Sequence, residues 1–362
     1  MTNYKKHIFD TFDTDCWHTL KNTKLPILIY GMGNGADKII KAFDTFNIKY
    51  EDVFASDGFV RGHSYRGKKV LSYREASEKY PQGFDIVVSF GSKLQDVIER
   101  IFSLEKKHNI YSLDVPVCGT ELFTEDFFVL HENELLDARE CLYDEISKQV
   151  FDDIIRYKLT GLPRYLKSTA FDEKDCDSLL KCEKYSSFLD LGAYNGDTIR
   201  KYIGLFSKLK YIYALEPDKK NFKKLSSFCQ ELAGYEIKLK NLAAYSSKTT
   251  LRFSSSGNRN SSATLNSSYE HKFIDIDAIA PDSICNKVDF IKYDVEGLEL
   301  EALLGSKELI KSGADLLVSM YHKSEDMYLL PVLVKKLNPS YKLFLRRLPY
   351  IPAWDLNLYA IN

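Results

Sequence analysis

Cysteine is sparse in this chain of 362 residues, with seven scattered at positions 16, 118, 141, 176, 182, 229 and 285. An odd number with no CxxC pair fits neither a disulfide framework nor a zinc site, and points to reduced thiols in a cytoplasmic protein. No apolar run approaches the roughly 18 residues that a membrane span needs. The opening Met-Thr-Asn-Tyr-Lys-Lys leads into no apolar signal segment, so a soluble protein is expected. Charge of one sign is lacking too, because 50 Lys and Arg stand against 51 Asp and Glu. There is accordingly no electrostatic case for a nucleic-acid partner or an anionic membrane. Internal repeats and low-complexity tracts are absent.

What is present is an ordinary globular composition, 44% hydrophobic and 28% charged, with a length that suggests roughly two domains. After a short helical pattern from Tyr4 to Phe12, residues 25–30 form a β-type run. It leads into Gly31-Met-Gly33-Asn-Gly35-Ala36 and a helical segment to Phe46. This is GxGxxA with a strand before it and a helix after it, the context that the motif requires. The next strand, Tyr50 to Ser56, ends at Asp57, and a further β-run spans 84–90. Residues 1–120 therefore read as a small Rossmann-like domain. Gly31, Gly33, Gly35 and Asp57 bind a nucleotide on one reading; on the other they shape a turn in a scaffold that only packs or dimerises. The run from Ser56 to Leu71 is similar to Rossmann-like N-terminal modules on bacterial sugar-modifying enzymes.

Residues 121–185 change character. Leu135, Leu142, Ile146, Val150, Ile154 and Tyr157 recur near the helical period with charges between them, predicting one long helix over 132–157 and a shorter one after Pro163. This helical connector would pack on a flanking sheet or on a partner subunit, which leaves a homo-oligomer open.

From 186 onward strands alternate with helices. The organising stretch is Ser186 to Thr198, a buried strand turning through Gly192 and Gly196 into a helix. Such a turn gathers backbone N–H groups and a helix N-terminus at one spot, which suits an anionic group. The next strand ends at Glu216-Pro217, about 20 residues on, where a carboxylate can take two ribose hydroxyls. Further strands are expected at 235–239, 249–253, 288–294 and 315–321. The loop 254–262 is rich in Ser, Asn and Gly, and two final β-runs at 341–346 and 356–361 should pair antiparallel.

Four motifs then stand in register: Phe188-Leu-Asp-Leu-Gly-Ala-Tyr-Asn-Gly-Asp-Thr198, Ala214-Leu-Glu-Pro217, Asn241-Leu-Ala-Ala244 and Phe290-Ile-Lys-Tyr-Asp-Val-Glu-Gly-Leu-Glu299. In order and spacing they resemble FkbM-type S-adenosylmethionine-dependent methyltransferases over residues 186–362. The lead-in Asp144-Glu-Ile-Ser-Lys148 to Gly161 also resembles the segment preceding this domain in bacterial sugar-associated members. The resemblance implies an α/β fold, with a class I methyltransferase sheet ending in an antiparallel hairpin.

It also implies a cofactor site. Gly192, Ala193, Tyr194, Asn195, Gly196 and Thr198 would hold the amino-acid end of S-adenosylmethionine, and Asp190 would orient the turn. Glu216, beside Pro217, would take the ribose, and Asn241 to Ala243 would line the adenine. Tyr194 stands where the common DxGxGxG pattern has its second glycine, a departure frequent in this family.

The implied reaction is O-methylation of a sugar or glycan-precursor hydroxyl. An alcohol is a poor nucleophile, so a base or metal is expected above the carboxyl ends of the strands. His322 is the first candidate for general base, with Asp294 orienting it or touching the cofactor, and Glu296 beside them or capping the next helix. The same three residues suit a divalent Mg or Mn, although no spacing compels a metal. Ser261, Ser262, His271 and Lys323 are candidate acceptor contacts. Two other readings stay open: a cofactor-binding scaffold in glycan assembly, and an NAD-dependent sugar oxidoreductase run by the N-terminal glycine turn. No Tyr-x-x-x-Lys pair accompanies that turn, which disfavours the oxidoreductase.

Overall fold

A computed structural model describes residues 2–60, 62–254 and 273–362. Sixteen strands can be named among the described residues. In the N-terminal part they are β1 (Ile27–Tyr30), β2 (Asp52–Ala55), β3 (Ser64–Tyr65), β4 (Lys68–Ser72), β5 (Asp85–Val88) and β6 (Ile110–Ser112). They form one sheet in the order β3-β4-β2-β1-β5-β6, parallel except for the short edge strand β3. β1, β2 and β5 are buried along their whole length, as strands covered on both faces must be.

The C-terminal part contributes β7 (Ser187–Leu191), β8 (Tyr211–Leu215), β9 (Glu236–Lys240), β10 (Ala243–Ala244), β11 (Thr249–Ser254), β12 (Phe273–Ile279), β13 (Phe290–Tyr293), β14 (Asp315–Ser319), β15 (Lys342–Arg347) and β16 (Leu356–Ile361). Seven of these make the main sheet, β15-β16-β14-β13-β7-β8-β9, in which β16 alone runs antiparallel to its neighbours. From β7 the chain steps outward through β8 and β9, then returns to build β13 and β14 on the other side. The strand order thus reverses between β7 and β13, and the crevice above their carboxyl ends is where such a sheet binds ligands. Asp289 fixes the register at the other end of this pair. Its carboxylate accepts from the backbone N–H groups of Ser186 and Ser187 at 2.8 and 3.0 Å.

The expected architecture is therefore present, with differences that have local causes. The helical pattern over 132–157 is two helices, Glu132–Glu140 and Glu145–Thr160. Asp144 breaks it by taking extended backbone angles and accepting the Ser147 N–H at 2.7 Å as an N-cap. A helix at Cys16–Asn22 was not foreseen, although Asp15 is placed as its N-cap. A small second sheet, β10-β12-β11, sits beside the main one; only β11 carries a plain signal in the sequence. Ser261, Ser262 and His271 lie outside the described residues.

The connector is a structural bridge. Helix Glu145–Thr160 is buried along most of its length, and residues from both sheets and from this helix share one hydrophobic cluster. Its Lys158 Nζ lies 2.7 Å from Asp114 Oδ2, with both side chains almost wholly buried. Two carboxylates at its middle, Asp152 and Asp153, are met by Arg139 and Arg156. None of the cysteines forms a disulfide, and no helix among the described residues is long and apolar enough to cross a membrane.

Removing one member of a buried ion pair strands the other charge in a low-dielectric interior. Lys158→Met should therefore lower the unfolding free energy by about 3–5 kcal/mol in urea titration. A loss below about 1 kcal/mol, the value of an exposed pair, would show that Asp114 finds solvent.

Candidate functional site

The cavity at the strand-order reversal has a volume of about 460 Å³, within the usual range for small-molecule sites. Its floor is the turn after β7. Gly192 and Ala193 both donate to the carbonyl of Leu215 at 3.0 Å, which holds the turn against the end of β8. A Cβ on Gly192 would stand 1.9 Å from the carbonyl oxygen of Asp294, and its φ is +84°. No side chain fits where β7 and β13 leave the sheet so close together. Tyr194 follows with φ 46°, so a non-glycine residue adopts the left-handed conformation that the missing glycine would take easily.

Glu216 at the end of β8 is nearly buried and accepts the N–H groups of Tyr194 and Asp218, each at 2.8 Å. Burial pushes its carboxyl up to about 7, against those two hydrogen bonds. Asn241 does not line the cavity. Its side-chain amide donates to the carbonyls of Glu216 and Pro217 at 2.8 and 2.9 Å, so it braces the Glu216 turn from behind. Ala243 and Ala244 form the apolar wall. Ala193, Asn195 and Gly196 lie behind the lining, while Thr198 and Asp197 reach it from the start of helix Asp197–Leu205. Asp190 is fully buried and has no hydrogen bond; Lys292 Nζ, 3.7 Å away, is its counter-charge. Burial raises its carboxyl to about 6.

The other end of the cavity is a charge cluster. His322, two residues past Met320 at the close of β14, is wholly buried. Its Nδ1 lies 2.9 Å from Glu299 Oε1, and its Nε2 is 3.6 Å from both Asp294 Oδ1 and Glu296 Oε2. The Nδ1 contact is an ion pair by distance whose N–H is not aligned for a hydrogen bond, and neither ring nitrogen has a hydrogen-bond partner. Burial alone would strip the imidazole of its proton. Glu299, Asp294 and Glu296 outweigh it and push the pKa up to about 10. Burial likewise raises Glu296 to about 7, against the pull of His322. For Asp294, burial is overcome by Lys292 and His322, which hold the carboxyl below its usual range. Lys292 Nζ lies 3.2 Å from Asp294 Oδ2, and Tyr321 donates to Asp294 Oδ1 at 3.2 Å.

The structure brings Asp294, Glu296 and His322 together, and with them Glu299, which sequence reasoning missed and which holds the cluster in shape. The Glu299 carboxylate accepts the N–H groups of Val295 and Gly297 at 2.9 and 3.0 Å. Glu296 does not cap the next helix: helix Glu299–Leu304 begins three residues later, has Leu298 as its N-cap and has no side-chain cap. Glu296 is freed to face the cavity, with φ 52°. Its signal was available, because Glu299 closes the quoted Asp-Val-Glu-Gly-Leu-Glu run. Lys323 packs along Gly119 and Gly297 and does not line the cavity.

The N-terminal domain closes one side. Cys118 donates its backbone N–H to the His322 carbonyl at 2.9 Å and its thiol to the Glu296 carbonyl at 3.1 Å. Lys93 and Val117 also line the cavity. The N-terminal glycine turn is closely packed at two of its three glycines. A Cβ on Gly31 would meet the Phe90 ring at 2.7 Å, and one on Gly35 would meet the Ser89 carbonyl oxygen at 2.0 Å. Gly33 has open space above it, and Asp57 is exposed on a one-turn helix away from the cavity.

Residues 190–328 match the family model described as the methyltransferase FkbM domain. Among solved structures the chain is similar to a methyltransferase FkbM from Methylobacillus flagellatus KT. The two are 18% identical with a TM-score of 0.68, over 99% of this chain and 94% of that one. At that identity the likeness shows the fold, and it extends through the N-terminal domain. More distant is a SAM dependent methyltransferase from Aquifex aeolicus, at 14% identity and a TM-score of 0.32 over 53% of this chain and 90% of that one. No curated protein matches the chain significantly. Residues 190–328 thus match a methyltransferase FkbM domain, and the chain has a mixed α/β fold.

The charge on His322 contributes stability in full below its ordinary pKa of 6.5 and loses it as pH rises through about 10. Glu299→Gln removes the largest of the carboxylates that raise it. NMR titration of the His322 ring should then give a midpoint clearly below that of the wild type; an unchanged midpoint would show that Asp294 and Glu296 suffice.

Proposed function

We propose that the chain is an S-adenosylmethionine-dependent O-methyltransferase acting on a hydroxyl of a sugar or glycan precursor. The observation that carries this reading is the charge of the cavity lining. Seven carboxylates (Glu173, Asp197, Glu216, Asp218, Asp294, Glu296 and Asp355) face three lysines, around a glycine turn that admits backbone but no side chain. A cavity so rich in carboxylates suits a ligand carrying positive charge. S-adenosylmethionine fits, since it joins a sulfonium and an ammonium to an adenosine.

When bound, it supplies an electrophilic methyl group. The residues would divide as follows. Glu216 exchanges its two backbone partners for the ribose hydroxyls, with Asn241 holding that turn in place. Ala243 and Ala244 give the adenine an apolar face. Gly192, Tyr194 and Thr198 present the turn and helix start to the amino-acid end, and Asp197 and Asp294 balance the positive charges.

His322 takes the acceptor's proton at Nε2. Glu299 at Nδ1 keeps the ring oriented and stabilises the imidazolium that forms, a base–orienter pair of the kind that activates weak nucleophiles. In the free protein the three carboxylates favour the protonated ring against its burial. Positive charge arriving beside Asp294 and Glu296 offsets the carboxylates that hold the proton there, and so lowers the pKa. A positioned base contributes about 10²–10⁴-fold, and alignment of acceptor with methyl group supplies much of the remainder.

A second reading rests on the same cluster. Asp294, Glu299 and His322 each offer a ligand atom within 4.8 Å of the others, and hard carboxylates plus an imidazole suit Mg or Mn. The two readings separate in one assay. If His322 is the base, chelator leaves methyl transfer unchanged and kcat/KM for S-adenosylmethionine climbs with pH toward about 10; if a cation is held there, chelator abolishes transfer and Mg or Mn restores it.

Calorimetric titration with S-adenosylmethionine should show one site per chain. Glu216→Ala should weaken it at least tenfold, about 1.4 kcal/mol, whereas His322→Asn should keep binding and lose about 10²–10⁴-fold in kcat. Absence of binding to the wild type would sink the proposal.

A further inference from the structure

The cavity wall built by residues 348–355, the connection between β15 and β16, has no role in the cofactor site. Leu348, Tyr350, Trp354 and Asp355 line it. This connection is fastened at several points, which is unusual for a surface loop. The buried Arg347 guanidinium donates from Nη1 to the carbonyls of Leu348 and Tyr350 at 2.9 and 2.7 Å, and from Nη2 to Leu166. Leu348 N–H bonds the Asp355 carbonyl at 3.1 Å, closing the loop on itself.

The N-terminal domain supplies the remaining fastening. Ser92 and Ile351 exchange backbone hydrogen bonds of 2.8 and 3.0 Å, an isolated antiparallel bridge between the two domains. Gly91, just past the carboxyl end of β5, lies directly beneath the aromatic pair. A Cβ there would stand 2.6 Å from Trp354 Cζ3 and 3.0 Å from Tyr350 Cε1. The two rings are 5.4 Å apart between centroids, tilted by 40°. Next to them Asp355 holds φ 57°. Three of the five non-glycine residues with positive φ among the described residues, Tyr194, Glu296 and Asp355, line this one cavity. Such backbone strain persists where the surroundings over-determine it, and it gathers at ligand sites.

We propose that Tyr350, Trp354 and Asp355 form the acceptor subsite, and that it takes a pyranose-type ring. Aromatic side chains are large, rigid and amphipathic, and they suit the apolar C–H face of such a ring. A half-buried carboxylate beside them accepts the hydroxyls, and hydrogen bonds to an ionised acceptor are the strong ones. The N-terminal domain is then the support for this wall through Gly91 and Ser92. This inference rests on the methyltransferase reading above and adds which residues choose its acceptor.

The chain has two tryptophans, and Trp17 is buried against Phe46 away from the cavity. Full-length Trp17→Phe therefore leaves Trp354 as the sole indole reporter. It is titrated with methyl β-D-glucopyranoside, methyl α-D-mannopyranoside and UDP-N-acetylglucosamine, with and without S-adenosylhomocysteine. The expected result is a saturable change in emission with at least one sugar, weakened roughly tenfold or more in Asp355→Asn. Gly91→Ala should weaken it as well, although Gly91 touches only the back of the wall. Saturation-transfer NMR on the wild type gives the same reading if Trp17→Phe fails to fold. S-adenosylhomocysteine binding without any sugar response would overturn the subsite while leaving the methyltransferase reading intact. A sugar response without S-adenosylhomocysteine binding would do the reverse.

Discussion

A fully buried imidazole faced by three carboxylates is costly to assemble, because burial opposes every charge in the group. The C-terminal site depends on that cluster being held rigid. Glu299 is fixed by two backbone N–H groups, Asp294 by Lys292 and Tyr321, and the backbone at Glu296 and His322 by Cys118 from the other domain. Released from these anchors, the carboxylates would turn to solvent and the histidine would revert to an ordinary titration. The proposal that His322 accepts a proton rests on this rigid cluster.

The two domains serve this site unequally. The main sheet places Gly192, Glu216, Asp294 and His322 at four strand ends around one crevice. The N-terminal sheet lends the edges, with Cys118 under the charge cluster and Gly91 and Ser92 under the aromatic wall. One hydrophobic cluster runs through both domains and the connector helix, so the wall is held by a shared core. This arrangement gives the N-terminal sheet a supporting use that needs no ligand of its own.

How much of this was legible in the sequence follows from which contacts are local. The strand–turn–helix at Ser186–Thr198 and the carboxylate at Glu216 could be read because spacing along the chain sets them. Asp294, Glu296 and His322 could be read because strand ends are where such a sheet exposes chemistry. Glu299 was hidden by its position at the start of a helix, where an acidic residue usually does no more than favour the dipole. Trp354, Tyr350 and Asp355 gave no signal, because their role comes from Gly91 and Ser92, about 260 residues earlier in a chain whose fold must first bring them together. The N-terminal glycine turn serves both readings: Gly31 and Gly35 match the dinucleotide pattern and are also required by packing against Phe90 and Ser89.

The central claim is that the cofactor sits over β7, β8 and β13 and not over β1. A crystal structure of the full chain grown with S-adenosylhomocysteine tests it most directly. The account predicts density for an adenosine whose ribose meets Glu216 and whose base lies on Ala243 and Ala244, with the sulfur toward Asp294. An adenosine at the Gly31–Gly35 turn, with the C-terminal cavity holding none, would contradict it.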